Sequence, residues 1–504
     1  MRFEKFLLDD YMQTAEGKNV YSFFADLKNI YFHDENKFFA FVDSMLDDPR
    51  VDLYLDPPDD IKLDERDYGQ KETISSIEKY IQQIPDFWKT LSNDEARDCQ
   101  SLIPFFSVSQ FMKHPDYAFP YLLPVHFYKF SEICRLFEIS IPALPGKTQH
   151  IERVNYYFDL CRVLYDFRMQ HDLSPVELCV FLYGFAIRFL GKFIERELPD
   201  PNQIFMLGAS DGDVEEFLST EIDNDKVYFW QGNEEILPGD IILLYERAPY
   251  KRIGSIWRAV SPGFDDPFHH YPGKVFLSHP IQDIPTVTFD DLKQDPVWSK
   301  NGLIRANMQG IGFKNTAVTR EEYEALKKLF KKKNPFFNLT RLPEPPAYAK
   351  FFHTDLDDER DVEEKLLEPL LGRLGYNVKK EFVRQFPIRM GRGLRYYPDY
   401  ALHAQGSRGN EHADFIWEAK YRIPTQKQLA EDFGQAKSYA VRLSCQGMGL
   451  VSQEGIWLSW SKDHFSFDKL RKYSWNELQN PDIFGKLKTA FYAACPSKNI
   501  LKSK

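Results

Sequence analysis

Residues 413–421 read ADFIWEAKY, and the reading of this stretch decides the fold of the last third of the chain. Side chains alternate across a strand with a period of two. Phe415, Trp417 and Ala419 therefore share one face, and Ile416, Glu418 and Lys420 share the other. Upstream, Arg395–His403 (RYYPDYALH) carries Pro398-Asp399 ahead of the alternating Tyr400, Ala401 and Leu402. A proline is tolerated at the first residue of a strand. Only a polar loop, Gly406–Glu411, separates the two segments, a hairpin-like spacing that brings Asp399 beside Glu418 and Lys420.

The flanking segments are helical. In Asp361–Tyr376 (DVEEKLLEPLLGRLGY), Leu366, Leu367, Leu370, Leu371 and Leu374 recur at helical spacing, and Gly375 is a stop signal. Glu364 and Glu368 lie four apart on one face, which taken alone describes a solvated acidic face. Downstream, Gln428–Leu443 reads as a helix on which Gln435 and Tyr439 are neighbours. Alone, these two are ordinary surface or core residues.

Taken together, the residues suit phosphodiester hydrolysis. Carboxylates hold Mg²⁺ while leaving room for water and a substrate phosphate. Asp399 and Glu418 are the expected metal ligands, with Glu364 a third through water; Mn²⁺ is an expected substitute. Lys420 is placed to orient or deprotonate the attacking water, or to stabilise developing negative charge. Gln435 is expected to orient Lys420 or a phosphate, and Tyr439 to contact DNA. The order is acidic helix, PD strand, ExK strand and QxxxY helix, carried by EEKLLEPLLGRLGY, YPDYAL, FIWEAK and QAKSYA, then by GLVSQEGIWL. Over roughly residues 356–465 it resembles the PD-(D/E)xK nuclease superfamily, in particular the N-terminal nuclease domain of type I restriction enzyme motor subunits. The resemblance implies a mixed αβ restriction-endonuclease-like core and Mg²⁺-dependent DNA cleavage. No GxxxxGK[ST] is present, so ATP-driven translocation is not expected.

Residues 203–332 change character. Short β-rich runs occur at Gln203–Gly208, Lys226–Trp230, Asp240–Tyr245, Ile253–Val260 and Val275–Leu277, broken by Gly, Pro and Asn. They predict a twisted sheet or small barrel. Thr319-Arg320-Glu321-Glu322 is a capping box opening a helix that ends in lysines. The segments FWQGNEEILPGDIILLYERAP, RIGSIWRAV, FDDPFHH and VTREEYEAL resemble an EVE domain, a PUA-like β-barrel. That resemblance implies a pocket for a modified base, with Trp230 and Asn233 in its lining. Tyr245 is a further candidate for stacking or hydrogen bonding to a flipped base. The competing reading puts Trp230 and Tyr245 in the barrel core and Asn233 in a turn. His269 and His270 lack partners at metal-ligand spacing.

Residues 1–200 read as mostly helical, interrupted by an acidic loop at 47–67. Their clearest helix start is Ser174-Pro175-Val176-Glu177, a capping box with proline in the first turn. A specificity module, a dimerisation surface and a helical brace are all open for this region. Residues 334–350 (NPFFNLTRLPEPPAYAK) read as an extended proline-rich linker before the nuclease-like domain, 351–504.

The bulk numbers agree with this division. At ~150 residues per domain, 504 residues suggest about three domains. The net charge of −11 is unevenly spread. Residues 1–100 hold 12 Lys/Arg against 23 Asp/Glu, and residues 371–504 hold 22 against 12, which suits the C-terminal part to a phosphate backbone. The longest apolar run, Cys179–Leu190, is short and contains Arg188, so no membrane span is expected. There is no secretory signal pattern, and the six cysteines form no CxxC pair. A cytoplasmic protein without structural zinc or a disulfide framework is expected.

The leading expectation is a modification-dependent DNA endonuclease of restriction or phage defence, with DNA carrying modified cytosine as partner. An RNA-directed nuclease, a non-catalytic reader of modified nucleic acid and a transcription-regulating helical protein are the alternatives. A homodimer is open, because cutting both strands often requires two active sites.

Overall fold

The strand expected from ADFIWEAKY forms near the middle of a six-stranded sheet in the computed structural model of the chain. The structure describes residues 2–29, 76–82, 90–100, 102–121, 126–190, 198–210, 227–269, 273–309, 317–348, 356–389, 395–407 and 409–495. The expected acidic loop 47–67 lies outside them. The fold is mixed, with helices and several sheets. The chain divides into two compact units. One is Met1–Glu195 with Phe229–Glu234 and Gly263–Val275; the other is Arg196–Tyr228, Glu235–Pro262 and Phe276–Lys504.

The first unit is mainly helical, as its sequence predicts. Its longest described helix is His150–Gln170. At Ser174 the expected cap forms: the side chain accepts from Glu177 N, and the Glu177 carboxylate accepts from Ser174 N. The apolar run that follows is buried but is not one regular helix. Pro175–Val180 passes into a π turn, Phe181–Phe185, and a 3₁₀ turn, Ala186–Phe189. The π turn carries Gly184 against Tyr11, whose hydroxyl would lie 2.4 Å from a Cβ at that position. The abundant rings fill this core, with Phe3 meeting Phe167 and Phe181 edge-on at 5.3 and 5.2 Å. A buried ion pair fastens FDDPF to the same unit. Arg153, 1% exposed, grips both oxygens of Asp265 at 2.6 and 3.1 Å. The neighbouring Asp266 carboxylate accepts from Phe127 N and Phe268 N. Breaking such a pair on one side typically costs about 3–5 kcal/mol.

The second unit contains two main sheets. Strands are numbered in chain order: β1 Ile204–Ala209, β2 Tyr228–Gln231, β3 Ile241–Glu246, β4 Arg252–Ala259, β5 Phe264–Asp265, β6 Gly273–Ile281, β7 Val287–Thr288 and β8 Ala317–Val318; of these, β2 from Phe229, β5 and β6 up to Val275 are counted with the first unit. Strands β1 to β4 fall within one or two residues of expected β-rich runs and β6 extends four residues beyond its run, whereas β5, β7 and β8 correspond to no expected run. Along the sheet the order β6-β4-β3-β1-β8 holds, with β1 and β3 parallel. The expected barrel does not form among the described residues. Strand β8 has two paired residues, both with β1, and nothing closes the sheet beyond it. The capping box at Thr319 forms and opens the helix Arg320–Lys333. The expected linker is held down along that helix, not free. Tyr323 Oη donates to Pro343 O at 2.9 Å, Arg320 Nη1 to Pro346 O at 2.7 Å, and Lys327 pairs with Glu344 at 2.6 Å.

Strands β9 Phe382–Arg384, β12 Tyr400–Leu402, β13 Phe415–Ala419, β14 Gly447–Ser452, β15 Gly455–Trp460 and β16 Arg471–Tyr473 make the second sheet, ordered β16-β15-β14-β13-β12-β9. A separate ribbon pairs β10 Ile388–Arg389 with β11 Arg395–Tyr396. Strands β13 and β14 are parallel and joined by the helix Gln426–Arg442; the other neighbours are antiparallel. The alternation read from sequence sorts into two cores. Phe415, Trp417 and Ala419 pack with Leu366, Leu367, Leu370, Leu371 and Phe491 on one face. Ile416 packs with Leu429, Phe433, Ala436 and Tyr439 on the other. Helices thus cover both faces, which is why β13 is buried throughout.

The two sheets of this unit are tied together, so the expected border between 203–332 and 351–504 is not a border between compact units. Gln203 Nε2 donates to Thr489 Oγ1 at 2.8 Å, and Asn202 Nδ2 to Gly485 O at 3.1 Å. Asp482 Oδ1 accepts from Arg320 N at 3.3 Å. Asp240, fully buried, holds the start of β1 by accepting from Asn202 N, Gln203 N and Leu237 N, and burial pushes its carboxyl up to about 7. Among the described residues no helix is long and apolar enough to cross a membrane.

Candidate active site

The pairing of β12 with β13 builds the site. Tyr400 lies opposite Trp417 and Ala401 opposite Ile416, so Asp399, one step before the strand, falls opposite Glu418. Both side chains then point to the face covered by the helix Gln426–Arg442. Asp399 is 8% exposed. Its Oδ2 accepts from Ala419 N at 2.8 Å and its Oδ1 from Gln385 Nε2 at 2.7 Å. Gln385 sits at φ +50, in the left-handed region, as the chain leaves β9.

Glu418 is 2% exposed, and its Oε1 has no hydrogen-bond partner. Burial, and then the Asp399 carboxylate across the strand pair, push it up to about 8. Lys420 Nζ stands 3.6 Å from Glu418 Oε2 and donates to Ala419 O at 2.9 Å. Burial draws the Lys420 ammonium down. Glu418, Glu359, Asp399 and Asp432 together outweigh that and hold it above the ordinary lysine value. Lys420 is therefore a cation in this site.

Gln435 reaches the centre from the covering helix, with Nε2 3.4 Å from Glu418 Oε2 and 3.1 Å from Tyr439 Oη. The sequence points it at Lys420 or a phosphate; in the structure it touches Glu418. Tyr439 departs from expectation. It is 5% exposed and packs on Tyr396 at 6.0 Å, so its ring supports the site from behind and offers little surface to DNA.

Glu364 also departs from expectation. It is exposed and paired with Arg360 at 2.8 Å, four residues away on its own helix. A π turn spans Val362–Leu367, and Glu364 and Glu368 line one surface pocket with Arg384 away from the carboxylate pair. Glu363 and Glu368, five apart, both pair with Arg384, the second at 3.7 Å. Glu363 and Glu359 are the acids of this segment that feel Asp399. Both are raised, first by burial and then, against a nearby cation, by Asp399. Asp432, absent from the sequence expectation, is 5% exposed; its Oδ1 accepts from Gln428 Nε2 and its Oδ2 has no partner. The signal available for it was its position one turn before Gln435.

Among the described residues no three His, Cys, Asp or Glu side chains form a ready-made metal cage. The donors that are present nevertheless suit a hard cation. Two carboxylates oppose each other, one buried oxygen on Glu418 lacks a partner, and their mutual repulsion is only partly met by Lys420. Each oxygen of Asp399 retains a lone pair beyond its one hydrogen bond.

The base-reading residues are not brought together in one compact unit. Trp230, 9% exposed, and the half-buried Asn233 belong to the helical unit, where the Asn233 carbonyl abuts Gly263. Tyr245 belongs to the other unit. It is 3% exposed in a core with Ile204, Met206, Leu243 and Ile253, where burial pushes its phenol up to about 12. Strand β3 is buried on both faces, so the ring expected to stack on a base is core.

No protein-family model matches the chain, and no curated protein does. Among solved structures, the chain is similar over 27% of its length to the NMR structure of Rpa0253 from Rhodopseudomonas palustris, covering 97% of that chain at 16% identity with a TM-score of 0.21. It is similar over 26% of its length to the crystal structure of a ZmASCH mutant protein from Zymomonas mobilis, covering 99% of that chain at 18% identity with a TM-score of 0.19.

Proposed function

We propose that this chain is a divalent-metal-dependent DNA endonuclease whose hydrolytic centre is Asp399, Glu418 and Lys420. The observation that carries the reading is the register of β12 on β13, which sets two buried carboxylates opposite each other beside a half-buried ammonium. Asp399 and Glu418 would hold Mg²⁺, which supplies Lewis acidity and a polarised water when bound. Gln385 and Ala419 N fix the Asp399 carboxylate so that it need not reorganise during reaction. Gln435 does the same for Glu418. Lys420 acts on the phosphoryl oxygens as a positive charge and orients water through its N–H groups.

We further propose that the middle region selects a modified base and so directs cleavage. This reading rests on the resemblance of the segments around Trp230 and Asn233, which lie in one compact unit; Tyr245, buried in another core, is left out of it. The test is incubation with Mg²⁺ and matched plasmids, one unmodified and the others carrying methylated, hydroxymethylated or glucosylated cytosine. Linearisation of one modified plasmid alone supports both halves. Equal cutting of all of them refutes the reader, and no cutting of any DNA alongside cutting of RNA refutes the DNA assignment.

A further inference from the structure

The ribbon β10–β11 carries a charge arrangement that the hydrolytic centre does not use. Its register sets Arg389 directly across from Arg395, and directly opposed residues of an antiparallel pair project on the same face. Both arginines are exposed, and neither is paired with a described carboxylate. Their neighbours differ. Arg384 is taken up by Glu363, Arg360 by Glu364, and Arg442 by Glu411. Like charges opposed in a ribbon are destabilising, and an anion lying across both relieves the repulsion.

The ribbon is not a loose flap. Its other face carries Ile388, fully buried, and Tyr396, which packs on Tyr439. Arg442 Nε donates to Arg389 O at 3.2 Å, fastening β10 to the helix that bears Gln435. Tyr439 Oη accepts from Gln435, which also donates to Glu418. Packed side chains thus link the arginine pair to the carboxylate centre. Tyr397, 43% exposed, lies between the ribbon and Asp399 in the chain. Arg395 precedes Asp399 by four residues, so their Cα atoms are within about 14 Å at ~3.5 Å per residue. One nucleic-acid strand places a phosphate every ~3.4 Å along the axis, so that span is about four nucleotides.

From this we infer that Arg389 and Arg395 form a phosphate clamp gripping the backbone of duplex DNA within about four nucleotides of the Asp399–Glu418 centre. The inference rests on the nuclease reading and deepens it. Planar guanidinium forks match phosphate oxygens, and such contacts fix position without reading sequence.

The test measures binding of a labelled 30-base-pair duplex to the full chain in EDTA, from 50 to 200 mM KCl. Wild type is compared with the double variant Arg389→Ala/Arg395→Ala and with Arg360→Ala as a charge control. A duplex RNA of the same sequence is the second arm, and thermal melting checks that each variant is folded. Losing two phosphate contacts flattens the salt slope by about 1.8, so the drop in affinity across that range becomes about 12-fold smaller than for wild type, on any DNA sequence. The double variant melts no lower than wild type, because a repulsive pair has been removed. An unchanged slope, a change no larger than that of Arg360→Ala, or an effect on RNA alone overturns the clamp. A wild type that cuts DNA while the double variant keeps its slope refutes the clamp and spares the nuclease. A wild type that binds through these arginines but cuts nothing with Mg²⁺ refutes the nuclease and spares the clamp.

Discussion

Glu418→Gln probes the buried carboxylate pair through stability alone, with no substrate present. In the metal-free chain Glu418 is pushed from 4.5 to about 8 by burial and by Asp399. The folded state therefore holds a proton that the unfolded state releases, and stability is lost as pH rises from the unfolded value through the folded one. One tenfold change in proton affinity is ~1.4 kcal/mol, so the full penalty above pH 8 is at most about 5 kcal/mol, of which less than ~1 kcal/mol is present at pH 5. A glutamine keeps the shape and removes the charge. The expected result, in EDTA, is a variant close to wild type at pH 5 and more stable than wild type at pH 8. Even a third of the ceiling raises Tm by about 3–6 °C in a unit of this size. Adding Mg²⁺ at pH 8 should then stabilise wild type and leave the glutamine variant unmoved, since the ion offsets a charge the variant lacks. Melting by circular dichroism at the two pH values, with and without Mg²⁺, measures all four numbers. Equal Tm differences at pH 5 and pH 8 would refute the buried-pair reasoning, as would a Mg²⁺ response that survives in the variant.

Other substitutions address separate parts of the account. Lys420→Met should lower the cleavage rate at least about 100-fold at every pH from 6 to 9, because the residue acts as a fixed cation; recovery of the rate at high pH would make it a base instead. Glu364→Gln should leave cleavage within about two-fold of wild type, since the side chain is exposed and paired on its own helix, whereas Glu359→Gln should shift the pH profile by loosening the hold on Lys420. Gly449→Ala should destabilise the C-terminal sheet by about 2 kcal/mol or more in denaturant melts, because its Cβ would lie 2.4 Å from the Trp417 ring, itself stacked on Phe491.

Much of the C-terminal sheet was legible because its signals are local. The alternation in Phe415–Ala419 set both faces of β13, and the spacing from Pro398-Asp399 to Glu418 set a hairpin whose register follows from strand geometry. The capping boxes at Ser174 and Thr319 were legible for the same reason: the residues that satisfy the helix end are themselves the signal. What was not legible depends on departures from regular geometry or on distant partners. A π turn leaves no mark on a pattern of leucines, and in the segment that holds it Glu363, not Glu364, is the acid that feels Asp399. Tyr245 offered a ring for stacking on a base, but its strand is covered on both faces. Asp265 and Arg153 are 112 residues apart, so nothing in FDDPF announced that it belongs with the helical unit. Asp432 carried no expectation from sequence, since its burial follows from the sheet that its helix covers.

The most direct test compares the initial rate of strand scission on the preferred plasmid for wild type and Asp399→Ala, with Mg²⁺ and with EDTA, alongside their affinities for the same DNA. The account predicts cutting by wild type only with Mg²⁺, loss of at least about 100-fold in the variant, and affinity within a few-fold of wild type. Undiminished cutting by Asp399→Ala, or cutting by wild type in EDTA, would contradict it.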